Sequence, residues 1–247
     1  MFLDEFEDAL DARLSRYKLD FPHVSRELRD GGEPIARLSR RNYVLLLYAY
    51  WESIVKQTVR DYIAHVENAA DHYDQLITPL RLAHRRNHLS RSYLNVRAPK
   101  RNVLSDEMAK FEACEETLTL PDKPALYDFS LFDSRSNLNW SRLERILTWI
   151  GVSLPHFHLT VRDPYGITQL SYSDVTKKNI YDYGPEPIRI WLDTFLKARN
   201  SLAHSALDDP PCYEHCVFFG LFISALLSWF SDVMRDAAEN ELWRVRV

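Results

Sequence analysis

The sequence predicts a mainly α fold, a bundle in which long amphipathic helices share one core. The chain of 247 residues has only 6 Gly against 12 Pro, and 46% of its residues are hydrophobic. This composition favours helices joined by proline-marked breaks over a β-sandwich. Apolar residues recur at helical spacing in two long stretches near the start of the chain and two near its end. One domain over residues 1–247 is expected, because a single core can serve a chain of this length.

Two helices are predicted in the first 69 residues. Residues 2–18 alternate charged and apolar positions at helical spacing, and the Gly-rich, Pro-containing segment 30–34 then interrupts the chain. From about Ile35 to Ala69 a longer helix is expected, and Glu52 lies on its apolar seam where an apolar residue would be usual. That seam consists of Leu45, Tyr48, Val55, Val59 and Tyr62.

The middle of the chain lacks a clear period, so residues 70–136 and 152–186 are expected to form a less regular insertion. The helical core then comprises about 2–69 and 137–242. Ser141-Arg142-Leu143-Glu144 has the spacing of a capping box, which predicts a helix through Trp149 to Gly151. The β-prone segments 154–161 and 167–172 flank Asp163-Pro164-Tyr165-Gly166, so a small β-hairpin is possible here.

Two more helices are predicted near the end. The first follows Pro185 and Pro187, is expected to end near Ala206, and has one apolar stripe formed by Ile188, Trp191, Leu192, Phe195 and Leu202. The second runs from about Tyr213 to Leu242. Its most apolar run, Val217 to Phe230, is shorter than the ~20 residues that span a bilayer, so we expect a buried core helix and no membrane contact.

Charge and cysteine content narrow the function classes. Thirty-one Lys and Arg against 35 Asp and Glu give a formal charge of −4, so any nucleic-acid contact must be local. Three cysteines and an acidic start without a signal peptide predict a reducing cytoplasm. The His84/His88 pair and the Cys212, His215 and Cys216 cluster each fall short of a zinc site, and no phosphate-binding glycine loop occurs. No metal or other cofactor is therefore expected.

The segment Arg199-Asn200-Ser201-Leu202-Ala203-His204 is the strongest clue to function. A guanidinium binds phosphate through parallel hydrogen bonds and an imidazole moves a proton near neutral pH, which together suit metal-free RNA cleavage. Arg199 falls on the apolar stripe in the series 188, 192, 195, 199, 202. Burying an unpartnered guanidinium is costly, so this side chain must meet a carboxylate, a subunit boundary or a ligand anion.

Helical phase separates the two motif residues. His204 lies five residues after Arg199, about 140° around the helix, so the two do not share a face. Arg199 could reach the imidazole through its long side chain, through loosening of the helix near Ala203, or from a second subunit. Glu52 is the intramolecular candidate to anchor Arg199. A polar line along the helix, at spacings of four, three and four, consists of Asp193, Lys197, Asn200 and His204.

A purely structural interpretation of the motif is open. Arg199 could be half of a buried ion pair with Glu52, and His204 a histidine favoured by the dipole at a helix C-terminus. The same loose pattern recurs from Arg60 to His65 and in the segments 81–88 and 16–23. The copy at Arg60 to His65 lies within the long early helix and is predicted to be ordinary helix.

A basic segment from residue 81 to residue 101 carries seven Lys and Arg and no acidic residue. It could steer an RNA backbone towards the motif, or it could be a solvated or partner-facing helix whose charge is offset by the acidic residues that follow. Both interpretations are open. Its basic residues are Arg81, Arg85, Arg86, Arg91, Arg97, Lys100 and Arg101.

The segment from Arg199 to His204 resembles the Arg-x4–6-His motif of HEPN domains, in its Arg-Asn-x-x-Ala-His form. Residues 45–56 resemble the early helix of a HEPN branch from bacterial toxin and defence loci, the MAE-type and RiboL-PSP-type proteins. Ser136-Asn137-Leu138-Asn139 is similar to a further segment of that branch. Ser205 follows His204, so the Arg-x4-His-Tyr form, whose tyrosine is modified by a partnered nucleotidyltransferase, is absent.

The resemblance implies a HEPN-like helical bundle that forms a homodimer and cleaves RNA without a metal. Arg199 would bind the scissile phosphate, His204 would act as general base or acid, and Asn200 would orient the phosphate or the imidazole. Glu52 matches an early acidic position of the family and would hold Arg199. Such toxins are restrained by an antitoxin or defence partner encoded nearby. The alternative is a non-catalytic HEPN subunit that binds RNA or such a partner.

Overall fold

The computed structural model describes residues 1–28, 33–91, 126, 137–152, 185–204 and 209–245, with all their side chains except those of 19–27, 85–91 and 185–187. This part of the chain contains no strand and forms six α-helices, which confirms the mainly α prediction. The helices are Leu3–Glu27 (α1), Glu33–Ala69 (α2), Thr78–Arg91 (α3), Trp140–Trp149 (α4), Pro185–His204 (α5) and Tyr213–Glu239 (α6).

Helix α2 is the centre of the bundle, since it packs against α1, α5 and, most extensively, α6. The indole of Trp51 meets the ring of Phe230 on α6 edge to face, with ring centroids 6.5 Å apart. Both side chains are fully buried. Burial of a phenylalanine side chain contributes about 1.5–3 kcal/mol, so contacts of this kind fix the rotation of α2 about its axis. The polar side chains of α2 therefore point in defined directions.

Helix α6 is 27 residues long and apolar in composition. Among the described helices it alone is long and apolar enough to cross a membrane, judged by length and composition. However, 67% of its most apolar window is buried inside the bundle, as in a core helix. Its buried aromatic residues include Phe218, Phe219 and Phe222, which contact Trp191 and Phe195 of α5. Helix α5 is therefore held against α6 by ring contacts along its apolar stripe.

The start of α4 differs from the prediction. Asn139, rather than Ser141, caps the helix, because its side-chain oxygen accepts a hydrogen bond from the backbone N–H of Arg142 at 2.9 Å. Glu144, the expected partner in a capping box, instead accepts a hydrogen bond from the indole of Trp140 at 2.7 Å. An asparagine caps a helix as well as a serine does, so the start lies two residues earlier than the spacing of Ser141 suggested.

Gly151 ends α4, as predicted. Its φ of 82° lies in the left-handed region that favours glycine, and the N–H of Val152 donates to the carbonyl of Leu147 at 2.8 Å. A Cβ atom at this position would collide with the side chain of Ile77 and crowd the carbonyl of Leu242. Glycine is thus required both by the turn and by the close approach of two neighbouring segments.

Two boundaries in the first half of the chain also differ from the prediction. Helix α1 continues past the expected end at residue 18 to Glu27, and the buried Leu28 anchors that end in the core. Helix α3 lies within the segment expected to be irregular. Its sequence is rich in Arg and His and has few large apolar residues, so the hydrophobic pattern does not single it out. The predicted hairpin, 154–161 and 167–172, lies outside the described residues.

The look-alike motif at Arg60 to His65 is ordinary helix, as predicted. Both residues lie within α2, which continues for four residues beyond His65. Arg60 is exposed whereas His65 is 7% exposed and lies against the ring of Phe6. Burial is the largest influence on His65 and lowers its pKa, while a hydrogen bond with the Met1 backbone acts in the opposite direction. His65 is a neutral core residue.

This burial predicts a loss of stability in mild acid. The unfolded chain protonates His65 near pH 6.5, whereas the folded protein resists protonation because the pKa is lowered. The free energy of unfolding should therefore fall as the pH falls from about 7 to 5, by at most about 1.4 kcal/mol per pH unit from this one group. His65→Gln should flatten that slope in urea unfolding series, and a slope unchanged by the substitution would contradict the assignment.

Candidate functional site

Helix α5 places Arg199 at the edge of the core. The predicted apolar stripe is buried, with Ile188, Leu192 and Phe195 fully inaccessible and Leu202 at 1% exposure. Arg199 occupies its expected place on this stripe but is only partly buried. Because its neighbours on the same face are held in the core, the guanidinium emerges at a fixed position where α5 meets α2.

Two asparagine side chains hold the guanidinium. Nη1 of Arg199 donates to Oδ1 of Asn137 at 3.2 Å and to Oδ1 of Asn200 at 3.0 Å. The amide of Asn137 in turn donates from Nδ2 to Oδ1 of Asn200 at 3.0 Å. We call these three residues the guanidinium–amide triad. Each member contacts the other two, so the triad fixes Arg199 through neutral oxygen atoms.

Tyr48 of α2 forms the floor of this triad. The guanidinium carbon of Arg199 lies 4.2 Å from the centroid of the Tyr48 ring, a cation–π contact. The Tyr48 hydroxyl accepts a hydrogen bond from the backbone N–H of Leu138 at 3.3 Å. The indole of Trp51 donates to the carbonyl of Leu138 at 3.1 Å. Helix α2 therefore holds both the guanidinium and the backbone of the segment that presents Asn137.

The Tyr48 hydroxyl remains protonated across the physiological pH range. Burial is the main cause that raises its pKa, and the Glu52 carboxylate adds to the rise through its charge and a side-chain hydrogen bond. The hydrogen bond from Leu138 and the charge of Arg199 act in the opposite direction without reversing the outcome. A neutral hydroxyl both accepts from a backbone N–H and donates to a carboxylate. Tyr48 thus serves as a structural link.

The predicted ion pair between Glu52 and Arg199 is wrong. Glu52 instead pairs with Lys56, with Oε1 and Nζ 2.7 Å apart. A glutamate four residues before a lysine on the same helix is a favourable pair that needs no tertiary contact. Among the described residues, no carboxylate lies within ion-pairing distance of Arg199, and Glu52 is linked to it only through Tyr48.

His204 is the last residue of α5, and it is exposed. The helix is regular through Ala203, so the loosening considered above is not present up to this point. Arg41 of α2 donates from Nη2 to the carbonyl of Leu202 in the final turn. A guanidinium near the carboxyl end of a helix satisfies one of its unpaired carbonyls and complements the dipole. Helix α2 therefore also holds the turn that carries the imidazole.

The other predicted polar residues of α5 precede the triad along the helix, on the side away from His204. Lys197 is exposed and Asp193 is partly buried. Of the basic segment, Arg81 contacts Thr78 within α3, with Nη2 and Oγ1 3.4 Å apart. The side chains of Arg85, Arg86 and Arg91 and the residues Arg97, Lys100 and Arg101 lie outside what the structure describes. Its predicted RNA contact stays a prediction.

Among the described residues there is no group of three or more His, Cys, Asp or Glu side chains placed to hold a metal ion. Cys216 is buried, and burial raises the pKa of its thiol to about 12. A thiol that stays protonated is a poor metal ligand, because the thiolate is the form that binds. This cysteine behaves as a small apolar core residue.

Three residues of the site have partners that helical spacing alone does not reveal: Asn137, Tyr48 and Arg41. Asn137 lies 62 residues before Arg199, in the segment 136–139 that resembles part of the HEPN branch, but that resemblance does not indicate a contact with Arg199. For Tyr48, the sequence pattern indicates only one more member of the apolar seam of α2. For Arg41, it indicates only a surface residue in the first turns of that helix. Each has its role only because α2 and α5 pack at one particular register.

Comparison with known proteins supplies the family. The sequence model of the RiboL-PSP-HEPN family matches residues 23–232, which include α2 to α5 and most of α6. No curated protein and no solved structure matches the chain. The match contains the guanidinium–amide triad, Tyr48 and His204, and the all-helical architecture agrees with it. The chain therefore belongs to the RiboL-PSP-HEPN family.

Proposed function

We propose that this protein is a metal-independent endoribonuclease that acts as a toxin or antiphage effector. Membership of a HEPN family points to RNA-related chemistry, and the motif from Arg199 to His204 has both groups that such cleavage requires. The effector would work in the cytoplasm and be restrained by an antitoxin or defence partner encoded nearby. A non-catalytic role, in which the same face binds RNA or that partner, is the alternative.

The observation that carries this proposal is the uncompensated charge of Arg199. A half-buried guanidinium needs a carboxylate, a subunit boundary or a ligand anion. Its hydrogen-bond partners among the described residues are Asn137 and Asn200, both neutral. Both bonds use Nη1, which leaves Nη2 and Nε without a described acceptor. A phosphate would meet a positioned positive charge whose Nη2 and Nε donors have no acceptor among the described residues.

The reaction would be an internal transesterification. The RNA 2′-oxygen attacks the adjacent phosphorus as its proton passes to a general base, and the bond to the 5′-oxygen breaks as a general acid protonates that oxygen. The products are a 2′,3′-cyclic phosphate and a 5′-hydroxyl. Arg199 stabilises the charge on the phosphoryl oxygens, and His204 performs one of the two proton transfers. Asn200, which already contacts Nη1 of Arg199, keeps that guanidinium in place.

A homodimer would bring the two motifs together, so that Arg199 of one subunit works with His204 of the other. Helix α2 has exposed apolar residues at Ile35, Leu38 and Leu46, which are 63%, 58% and 39% accessible. Leu38 lies three residues before Arg41 and is its neighbour on the helix surface, while Arg41 contacts the end of α5. The apolar surface is thus continuous with the motif. Its burial against a second copy would place two motifs at a common cleft.

Cleavage of RNA in EDTA is the direct test of the proposed function. The purified protein should cut single-stranded RNA or tRNA and leave cyclic-phosphate ends, because no metal takes part. Arg199→Ala and His204→Ala should each reduce the rate by about 100-fold or more, since each removes a group that acts in the transition state. Intact RNA with the parent, after removal of any co-purified inhibitor, would support the binding role instead.

Asn137→Asp should lower activity with little change in stability. The substitution keeps the shape of the side chain but places a carboxylate against Arg199, which would neutralise the charge that attracts phosphate. It also removes the Nδ2 donor to Asn200, a loss that the new ion pair offsets. We expect cleavage to fall by about tenfold or more and the free energy of unfolding to change by less than about 1 kcal/mol. Asn139→Asp is the matched control, because it adds the same charge two residues away at an exposed helix cap. Equal activity in both variants would show that Asn137 is not part of the functional site.

Mixing two inactive variants tests the dimer. If Arg199 of one subunit works with His204 of the other, a mixture of Arg199→Ala and His204→Ala proteins forms mixed dimers that contain one intact pair. Activity should then return to roughly a quarter of the parental value, from half of the dimers with one of two sites. Leu38→Glu should yield monomers in sedimentation experiments and abolish this recovery. If mixed dimers are shown to form but activity does not return, Arg199 and His204 of the same chain must work together.

A further inference from the structure

The first turns of α2 carry three arginines, Arg37, Arg40 and Arg41, near the end of the motif and the segment that follows it. Arg41 donates to the carbonyl of Leu202. One turn earlier, Nη2 of Arg37 lies 2.6 Å from Oδ1 of Asp209, and Arg40 lies on the same helix between them. Guanidinium groups therefore contact the chain on both sides of His204.

Arg37 and Arg40 border a groove of about 570 Å³ between the start of α2 and residues 209–212. This volume is within the range of small-molecule sites. Asp209, on the rim of the groove, lies five residues after His204 along the chain. Five residues span at most about 18 Å, so an RNA strand held at the imidazole would reach the groove within a few nucleotides.

Arg40 has an incomplete hydrogen-bond arrangement. Its Nη2 contacts Oε1 of Glu33 at 3.1 Å, while its buried Nε has no hydrogen-bond partner among the residues that the structure describes. The Arg40 side chain is 15% exposed, whereas that of Glu33 is 80% exposed. A phosphodiester accepts from Nε and Nη2 together in a bidentate arrangement. Such a ligand would satisfy the donor that Glu33 leaves unpaired.

The carboxylates in the groove are weakly held competitors for the arginines. Asp209 is 83% exposed in its pair with Arg37, which is itself 47% exposed. Ion pairs between exposed side chains contribute little to stability and exchange readily with other ions. A phosphate can therefore displace Asp209 and Glu33 without disturbing the core.

We propose that Arg37 and Arg40 form a second phosphate site, which binds a backbone phosphodiester of the RNA strand beside the scissile phosphate. This proposal rests on the proposed function. In this proposal the groove binds substrate and takes no part in the chemistry at Arg199 and His204. The RNA strand would pass from the guanidinium–amide triad over the end of α5 and into the groove.

Binding of a short fluorescein-labelled single-stranded RNA to the non-cleaving His204→Ala protein tests this site. Dissociation constants measured over a series of KCl concentrations report the number of phosphate contacts. Adding Arg37→Gln and Arg40→Gln should weaken binding about tenfold and lower the slope of log affinity against log salt by about 1. Adding Glu33→Gln and Asp209→Asn instead should tighten binding, because the competing carboxylates are gone.

Arg60→Gln with Arg189→Gln is the matched control. Both arginines are exposed, and Arg60 lies 20 residues after Arg40, about 30 Å along α2. This control should leave the salt slope unchanged. A folded Arg37/Arg40 variant that binds with the parental affinity and slope would overturn the proposal, as would a lack of RNA binding by the His204→Ala protein.

The carboxylate variants keep the test decisive if the arginine variant fails to fold. Their gain in affinity should exceed that of Asp8→Asn with Asp71→Asn, two exposed carboxylates outside the groove, because that pair changes the net charge equally. Equal gains would overturn the proposal. Because binding is measured in a protein that does not cut RNA, its result is independent of cleavage. Absence of cleavage by the parent would contradict the proposed nuclease alone.

Discussion

A positive charge held without a carboxylate is the constraint on which the site depends. The charge of Arg199 lies at the meeting point of three segments: α2 through Tyr48, the segment before α4 through Asn137, and α5 through Asn200. Neutral oxygens and an aromatic face orient a guanidinium, but they leave its charge in place. The geometry is therefore fixed by the fold, while the electrostatic attraction for an anion is retained.

Helix α2 acts as the common reference for these segments. Its residues at 41, 48 and 51 contact, in turn, the last turn of α5, the guanidinium, and the backbone of Leu138. These contacts span about 15 Å of a single helix, whose rotation is fixed by burial against α6. The relative placement of Arg199 and the turn that carries His204 is thus set by one rigid element. A displacement of α2 would move both ends of the motif together.

Helical periodicity accounts for most of what the sequence reveals. It predicts that Ile188, Leu192, Phe195 and Leu202 form a buried stripe, which they do, and that Arg199 interrupts it. Periodicity fixes the angle of a residue about its own helix but not the register between two helices. Glu52 and Tyr48 differ by one turn, about 6 Å along α2. Only the register between α2 and α5 determines which of the two residues lies beside Arg199. The sequence does not give this register, so the prediction of Glu52 is wrong.

Contacts between residues far apart in the sequence are harder still to predict. Asn137 reaches Arg199 only because Trp51 and Tyr48 hold the backbone of Leu138, and no local pattern encodes a contact across 62 residues. Helix α3 escapes prediction for a different reason. A buried histidine, His84, occupies a core position there that an apolar residue would usually mark. Local patterns therefore recover α2, whose many apolar residues outweigh its few buried polar ones, and they miss the short α3, where a histidine takes a core position.

The pairing of charges on α2 helps to explain why no carboxylate of the described residues compensates the charge of Arg199. Glu52 lies one turn from Tyr48, near enough to hydrogen-bond its hydroxyl, and an unpaired carboxylate there would draw the guanidinium towards it. Lys56, one further turn along, pairs with Glu52 at 2.7 Å. Since this pair forms within a single helix, it persists whatever α5 does. Lys56, two turns beyond Tyr48, thereby weakens the competition of Glu52 for Arg199.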